Sequence, residues 1–184
     1  ADVGHYVQEG TVLDNEALAR GTSVYLPDQV VPMLPEAISN GLCSLVGGRD
    51  RLAYSVFMVF DAKGERESYS MAKSVICSVR RCTYTEVQGL LDGKPVEDSL
   101  EALRSSIEGF AAWTRIQQQL RDSKGSLRID SREKKFLFDE KGEVESIVDV
   151  KKIFANTLIE ETALAANQAV GDFFFERGLP TIYR

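Results

Sequence analysis

Two neighbouring carboxylates, Glu160 and Glu161, stand in the run LIEETALAANQAV. On a helix, adjacent side chains point about 100° apart, so one partner cannot face both. The ordinary reading of such a pair is a solvated helix face. Tyr25 stands in GTSVYLPDQVVPMLPEAISNGLCSL, where Pro27, Pro32 and Pro35 make a stiff, non-repetitive path. A stiff path can hold one side chain in place; the ordinary reading of Tyr25 is a half-buried strand aromatic. Arg80 and Arg81 directly follow an expected strand and have the charge to meet phosphates, although Arg pairs are usually solvated. His5 is the only histidine, so a site needing several histidines is excluded within this chain. Cys43, Cys77 and Cys82 are odd in number and lack a Cys-x-x-Cys pair. They suggest neither a disulfide framework nor zinc, but buried thiols in a reducing cytosol.

The elements that must position these residues are legible from pattern. Residues 1–9 read as a strand end entering a loop, and Asp14 as the cap of a short helix over Asn15–Arg20 with Gly21 beyond it. Thr22–Tyr25 and Val30–Val31 read as short strands around a Leu-Pro-Asp turn, with a helical turn near Glu36. Residues 52–61 suit a strand buried on both faces. With a turn at Ala62-Lys63-Gly64 and a strand over 66–80 they make a hairpin. Tyr84–Leu91 is a short helix. A long helix over 98–122 carries Leu100, Leu103, Ile107, Phe110, Trp113, Ile116 and Leu120 at helical spacing. Leu127–Ile129, Lys135–Phe138 and Val144–Val150 read as strands, the last two joined at Glu140-Lys141-Gly142. A final helix spans about Lys152–Glu176. The fold class is α+β, with largely antiparallel strands and two long helices packed on them, in one domain.

A chain of 184 residues can bury a real core, and 43% hydrophobic with 27% charged residues is ordinary for a globular protein. No apolar run is long enough to span a bilayer, so no membrane role is expected. The net charge of −6 argues against a basic nucleic-acid surface on this segment.

The segment GTSVYLPD-x-VVPMLPE-x-ISN-x-LCSL resembles the catalytic core of the ribonuclease II/ribonuclease R family. The resemblance extends to ADVGHYVQEG-x-x-LDNEA before it and to SVICSVRRCTYTEVQGLLDG and LIEETALAANQAV after it, and is weakest between Lys94 and Glu133. It implies a magnesium-dependent, processive 3′→5′ exoribonuclease that releases nucleoside 5′-monophosphates from single-stranded RNA. It further implies a cytoplasmic monomer with OB-fold-type RNA-binding domains elsewhere in the parent chain, where much of the positive surface would lie.

The same resemblance assigns candidate roles. It makes Glu160 the active-site member of the pair, near the RNA 3′ end, where a carboxylate accepts hydrogen bonds from ribose hydroxyls and so separates RNA from DNA. It places a base-packing aromatic at Tyr25, worth roughly 1–3 kcal/mol per base. Tyr84 matches a tyrosine touching RNA further from the cut, or is structural. Ile129 stands where relatives often carry a second aromatic, so the clamp is one-sided here or Phe136 substitutes. Arg80 and Arg81 would position phosphates, whereas Asn167 and Asp2 read as structural. The aspartate cluster implied for magnesium would precede Ala1, and the implied catalytic arginine would follow Arg184. Both ends therefore look like cuts through a domain, and the segment alone is expected to be inactive. The alternatives are a non-catalytic RNA-binding relative of the same fold and a purely structural module.

Overall fold

The structure is a computed structural model that describes residues 1–126, 133–139 and 142–183. The expected strand at Leu127–Ile129 and the connecting residues Glu140-Lys141 lie outside the described residues. The chain forms two compact units, one of Ala1–Tyr54, Lys73–Arg81 and Asp130–Lys151 and the other of Ser55–Ala72, Cys82–Ile129 and Lys152–Arg184. The architecture is α+β.

The first unit opens on a short helix, α1 (Val3–Tyr6), where the sequence suggested a strand end. Val7 N–H donates to the Val3 carbonyl at 3.0 Å, closing one helical turn, and Asp2 N–H ties the start to the Leu52 carbonyl at 2.9 Å. Asp2 also pairs with Lys73 at 3.2 Å, in keeping with a structural role. Helix α2 (Val12–Arg20) starts three residues earlier than expected. Its cap is Thr11, whose hydroxyl accepts from Asp14 N–H, while the Asp14 carboxylate accepts from Gly10 N–H. Gly21 ends it at φ +70°. Strands β1 (Val24–Tyr25) and β2 (Val30–Val31) pair antiparallel, with Tyr25 opposite Val30. Leu26 N–H donates to the Gln29 carbonyl at 2.8 Å and closes the turn between them. A π-helical segment, Ala37–Leu42, follows Pro35.

Strands β3 (Asp50–Phe60) and β4 (Arg66–Cys77) form the expected hairpin. Residues from one end belong to the first unit and those around the turn to the second. The expectation of burial on both faces fails, because Ala53 is buried but Tyr54, Phe57 and Val59 are exposed. An apolar run alone does not say which face another element covers. The three cysteines, expected to be buried, are not: Cys77 is exposed and Cys43 and Cys82 are part-exposed. Strands β5 (Glu133–Phe138) and β6 (Val144–Val150) pair antiparallel, with Phe136 opposite Ile147.

The second unit is helical. Thr83 and Glu86 form a reciprocal cap that starts α3 (Tyr84–Leu91). The expected long helix is two pieces, α4 (Asp98–Glu101) and α5 (Arg104–Ser123), parted at Ala102-Leu103. Leu100 and Ala111 are fully buried, and Trp113 meets the rings of Phe60 and Phe110 at 5.1 and 5.9 Å. Trp113 is thus a packing residue. Helix α6 (Phe154–Glu176) packs on α5 and α3.

The turn of the hairpin is locked onto α5 by Gly64. Its φ of +84° is left-handed, and a Cβ there would lie 2.5 Å from Ile116 Cγ2 and 2.9 Å from Gln117 Nε2. Gln117 Nε2 donates to the Gly64 carbonyl at 2.6 Å. Gly64→Ala is expected to destabilise by about 2–4 kcal/mol, adding left-handed strain to overpacking. Thermal unfolding would show the loss as a lowered midpoint.

Candidate functional site

The glutamate pair is divided by its surroundings. Glu161 is 2% exposed and its carboxylate pairs with the Arg121 guanidinium of α5 at 2.5 Å. The solvated-face reading fails for this residue. A carboxylate this buried needs such a cation beside it. Glu160, one position earlier, points elsewhere and is 43% exposed, with Lys152 Nζ 2.5 Å from Oε2. The pair behaves as the 100° step requires.

Two further contacts fix where α6 begins. Asn156 Oδ1 accepts from Ile153 N–H at 3.0 Å, and Gln88 Oε1 on α3 accepts from Ala155 N–H at 3.1 Å. Both satisfy amides that a helix start leaves unpaired. Starting point and rotation together put Glu160 at the surface with a cation beside it. Near the other end, Arg66 pairs with Asp172, and Tyr69 Oη donates to Glu176 Oε2 at 2.6 Å. That hydrogen bond to the carboxylate raises the Tyr69 phenol above the usual tyrosine range. Asn167 is exposed on α6 and lines a cleft of about 670 Å³ with Gly171, Phe175 and Tyr183.

In the first unit Tyr25 is 76% exposed on its two-residue strand. The half-buried reading therefore does not hold. The ring stands out from a turn braced by Met33 N–H donating to Ser23 Oγ at 2.9 Å and Arg20 donating to the Pro32 carbonyl at 3.1 Å. Arg80 is half-buried and Arg81 exposed, just past the bridge between Gly47 and Ser78. Phe136 on β5 is partly exposed. Tyr84 belongs to the second unit, exposed as the first residue of α3. Ile129 lies outside the described residues. The first unit thus holds Tyr25, Arg80 and Arg81, and the second holds Tyr84 and Glu160.

Sequence reasoning missed Arg121 and Lys152 as partners of the two glutamates. A signal for Glu161 was present. It shares the spacing of Leu158, Ala165 and Ala169, all buried, and so lies on the apolar stripe of α6. Among the described residues no group of three or more His, Cys, Asp or Glu side chains converges as metal ligands. They do not by themselves fit a magnesium site. Also among the described residues, no helix is long and apolar enough to cross a membrane.

The RNB domain family matches residues 1–184, the whole chain. The chain belongs to this family. The ribonuclease R of Thermotoga maritima is 44% identical over 185 residues, covering 100% of this chain and 26% of that protein. The Mycoplasma genitalium RNase R in complex with double-stranded RNA superposes at TM-score 0.93 and 29% identity, over 97% of this chain and 32% of the other. Its complex with ribose methylated single-stranded RNA gives 0.91 and 30%, over 97% and 28%. This RNB segment spans about a quarter of the length of the curated relatives it matches, 26% of the ribonuclease R of Thermotoga maritima and 22% of that of Vibrio parahaemolyticus.

The buried and exposed glutamates of this RNB segment should respond differently to truncation. Glu161→Ala leaves the Arg121 charge without its partner and is expected to cost about 3 kcal/mol, the low end for a buried pair because Arg121 is 35% exposed. Glu160→Ala breaks an exposed pair and is expected to cost less than about 1 kcal/mol. Denaturant unfolding of the two variants checks the contrast.

Proposed function

We propose that the protein containing this segment is a 3′→5′ exoribonuclease that hydrolyses single-stranded RNA processively to nucleoside 5′-monophosphates. The observation that carries this reading is the RNB match over all 184 residues. Relatives named ribonuclease R and a Mycoplasma relative bound to single-stranded RNA support it. The segment's own part is to hold the RNA 3′ end. Tyr25 packs its exposed ring on a base, a sequence-tolerant contact suited to an enzyme that must accept every base in turn. Glu160 accepts hydrogen bonds from ribose hydroxyls, and Lys152 holds its carboxylate in place between contacts. Tyr84, Arg80 and Arg81 contact the strand further from the cut, the arginines through phosphates. Ile129 leaves the base clamp one-sided unless Phe136 completes it.

Magnesium is part of this reading, with its ligands outside this segment. When bound it supplies a hydroxide nucleophile and neutralises charge on the leaving oxygen. OB-fold-type domains in the parent chain would add the positive surface that a net charge of −6 does not. We place the protein in the cytoplasm as a monomer; its free cysteines suit a reducing compartment.

The test is 5′-labelled single-stranded RNA incubated with the full-length protein and magnesium. The label is expected to pass into a short 5′-terminal fragment as nucleotides are removed from the 3′ end, without a ladder of released intermediates. Tyr25→Ala should weaken RNA binding by about 5- to 150-fold, corresponding to 1–3 kcal/mol, and Tyr25→Phe should retain it. RNA that is bound but never shortened would identify the non-catalytic relative instead. Unchanged affinity in Tyr25→Ala would remove that residue from the interface.

A further inference from the structure

Helix α6 begins on a residue that cannot cap it. Its N-cap is Ile153, whose side chain carries no hydrogen-bond acceptor. Asn156 Oδ1 reaches back only as far as the Ile153 amide, so amides within the first turn are still to be met. The Ala155 amide is met from another element. Gln88 Oε1 on α3 accepts from it at 3.1 Å, across 67 residues of sequence. Ala155 is 1% exposed, and a buried amide that loses its acceptor carries the full cost of its desolvation. The Gln88 amide is itself held in place. Its Nε2 donates to Asp92 Oδ1 at 2.8 Å, which leaves Oε1 for α6. Gln88, Asp92, Ala155 and Glu160 all belong to the second unit.

Glu160 follows on the same helix, about 7.5 Å further along its axis. Lys152, its ion-pair partner, stands just before the same start. Whatever fixes the first turn of α6 therefore fixes both members of that pair. On α3, Tyr84 and Gln88 stand one turn apart on one face. The start of α6 is thus tied to the helix that bears the other candidate RNA contact of this unit. We propose that Gln88 is a positioning residue for ribose recognition: by holding the first turn of α6 on α3, it sets where the Glu160 carboxylate stands. Gln88 itself touches no RNA. The inference rests on the reading that brings Glu160 to the ribose of an RNA 3′ end.

The experiment uses the full-length protein with magnesium withheld. It measures the ratio of affinities for an RNA and for the same strand with 2′-deoxy sugars at its 3′ end, alongside thermal unfolding. The ratio cancels any general loss of affinity or of folded protein. Gln88→Leu keeps the size of the side chain but cannot accept, and is expected to lower the preference for ribose by about fivefold or more. The exchange Gln88→Glu with Asp92→Asn keeps an acceptor toward Ala155 and a donor between the two side chains. It is expected to return the preference to within about twofold of the wild type. A cap with no part in recognition would lower Tm in Gln88→Leu and leave the ratio unchanged. That result, or a ratio that the folded exchange variant fails to restore, overturns the proposal. Should Gln88→Leu fail to fold, Gln88→Asn, one methylene too short to reach Ala155, decides it alone. A wild type with no ribose preference fails the reading of Glu160 and takes this inference with it. A preference abolished by Glu160→Gln but spared by Gln88→Leu fails this inference alone.

Discussion

The ion pair between Arg121 and Glu161 is the constraint on which the second unit depends. A carboxylate that is 2% exposed tolerates only an orientation that meets its cation. Rotating α6 about its axis would part the two charges and leave one buried alone. The pair therefore penalises every other rotation, whatever its net contribution to stability. Glu160 inherits its outward direction from this, one residue and about 100° away. Gln88 and Asn156 set the axial position by capping the first amides of α6. An exposed carboxylate on a helix so constrained is placed far more exactly than one on a loop.

Tyr25 is placed by different means. Its strand is two residues long and cannot be rigid by itself. Rigidity comes from fixed proline φ angles, the Leu26–Gln29 turn, and the contacts of Ser23 and Arg20 with the backbone that follows. These hold a large ring outward, 76% exposed. The two candidate contacts with RNA thus use opposite strategies, a buried charge on one unit and a stiff turn on the other.

Much of this was legible in the residues. The hairpin, α3, β6 and α6 follow from period, caps and glycine stops, and the YLPD turn from Pro27. What stayed hidden was what covers each surface. The apolar run of β3 is the same whether both faces are packed or open. Asp14 and Thr11 are both good caps, and the choice between them depends on which amide each reaches. Glu161 lies on the apolar stripe of α6, but the cation that makes its burial tolerable is Arg121 of α5, a contact 40 residues distant in sequence. The break at Ala102-Leu103 lies within a continuous helical pattern, and nothing in the side chains announces it.

In the proposed function, Glu160 meets the ribose of an RNA 3′ end. The most direct measurement compares the affinity of the full-length protein for an RNA and for the same strand with 2′-deoxy sugars at its 3′ end, in wild type and in Glu160→Gln. A preference for ribose is expected in the wild type and should fall toward equality in the variant, because the amide is a weaker acceptor than the carboxylate. A ribose preference unchanged by Glu160→Gln would contradict it.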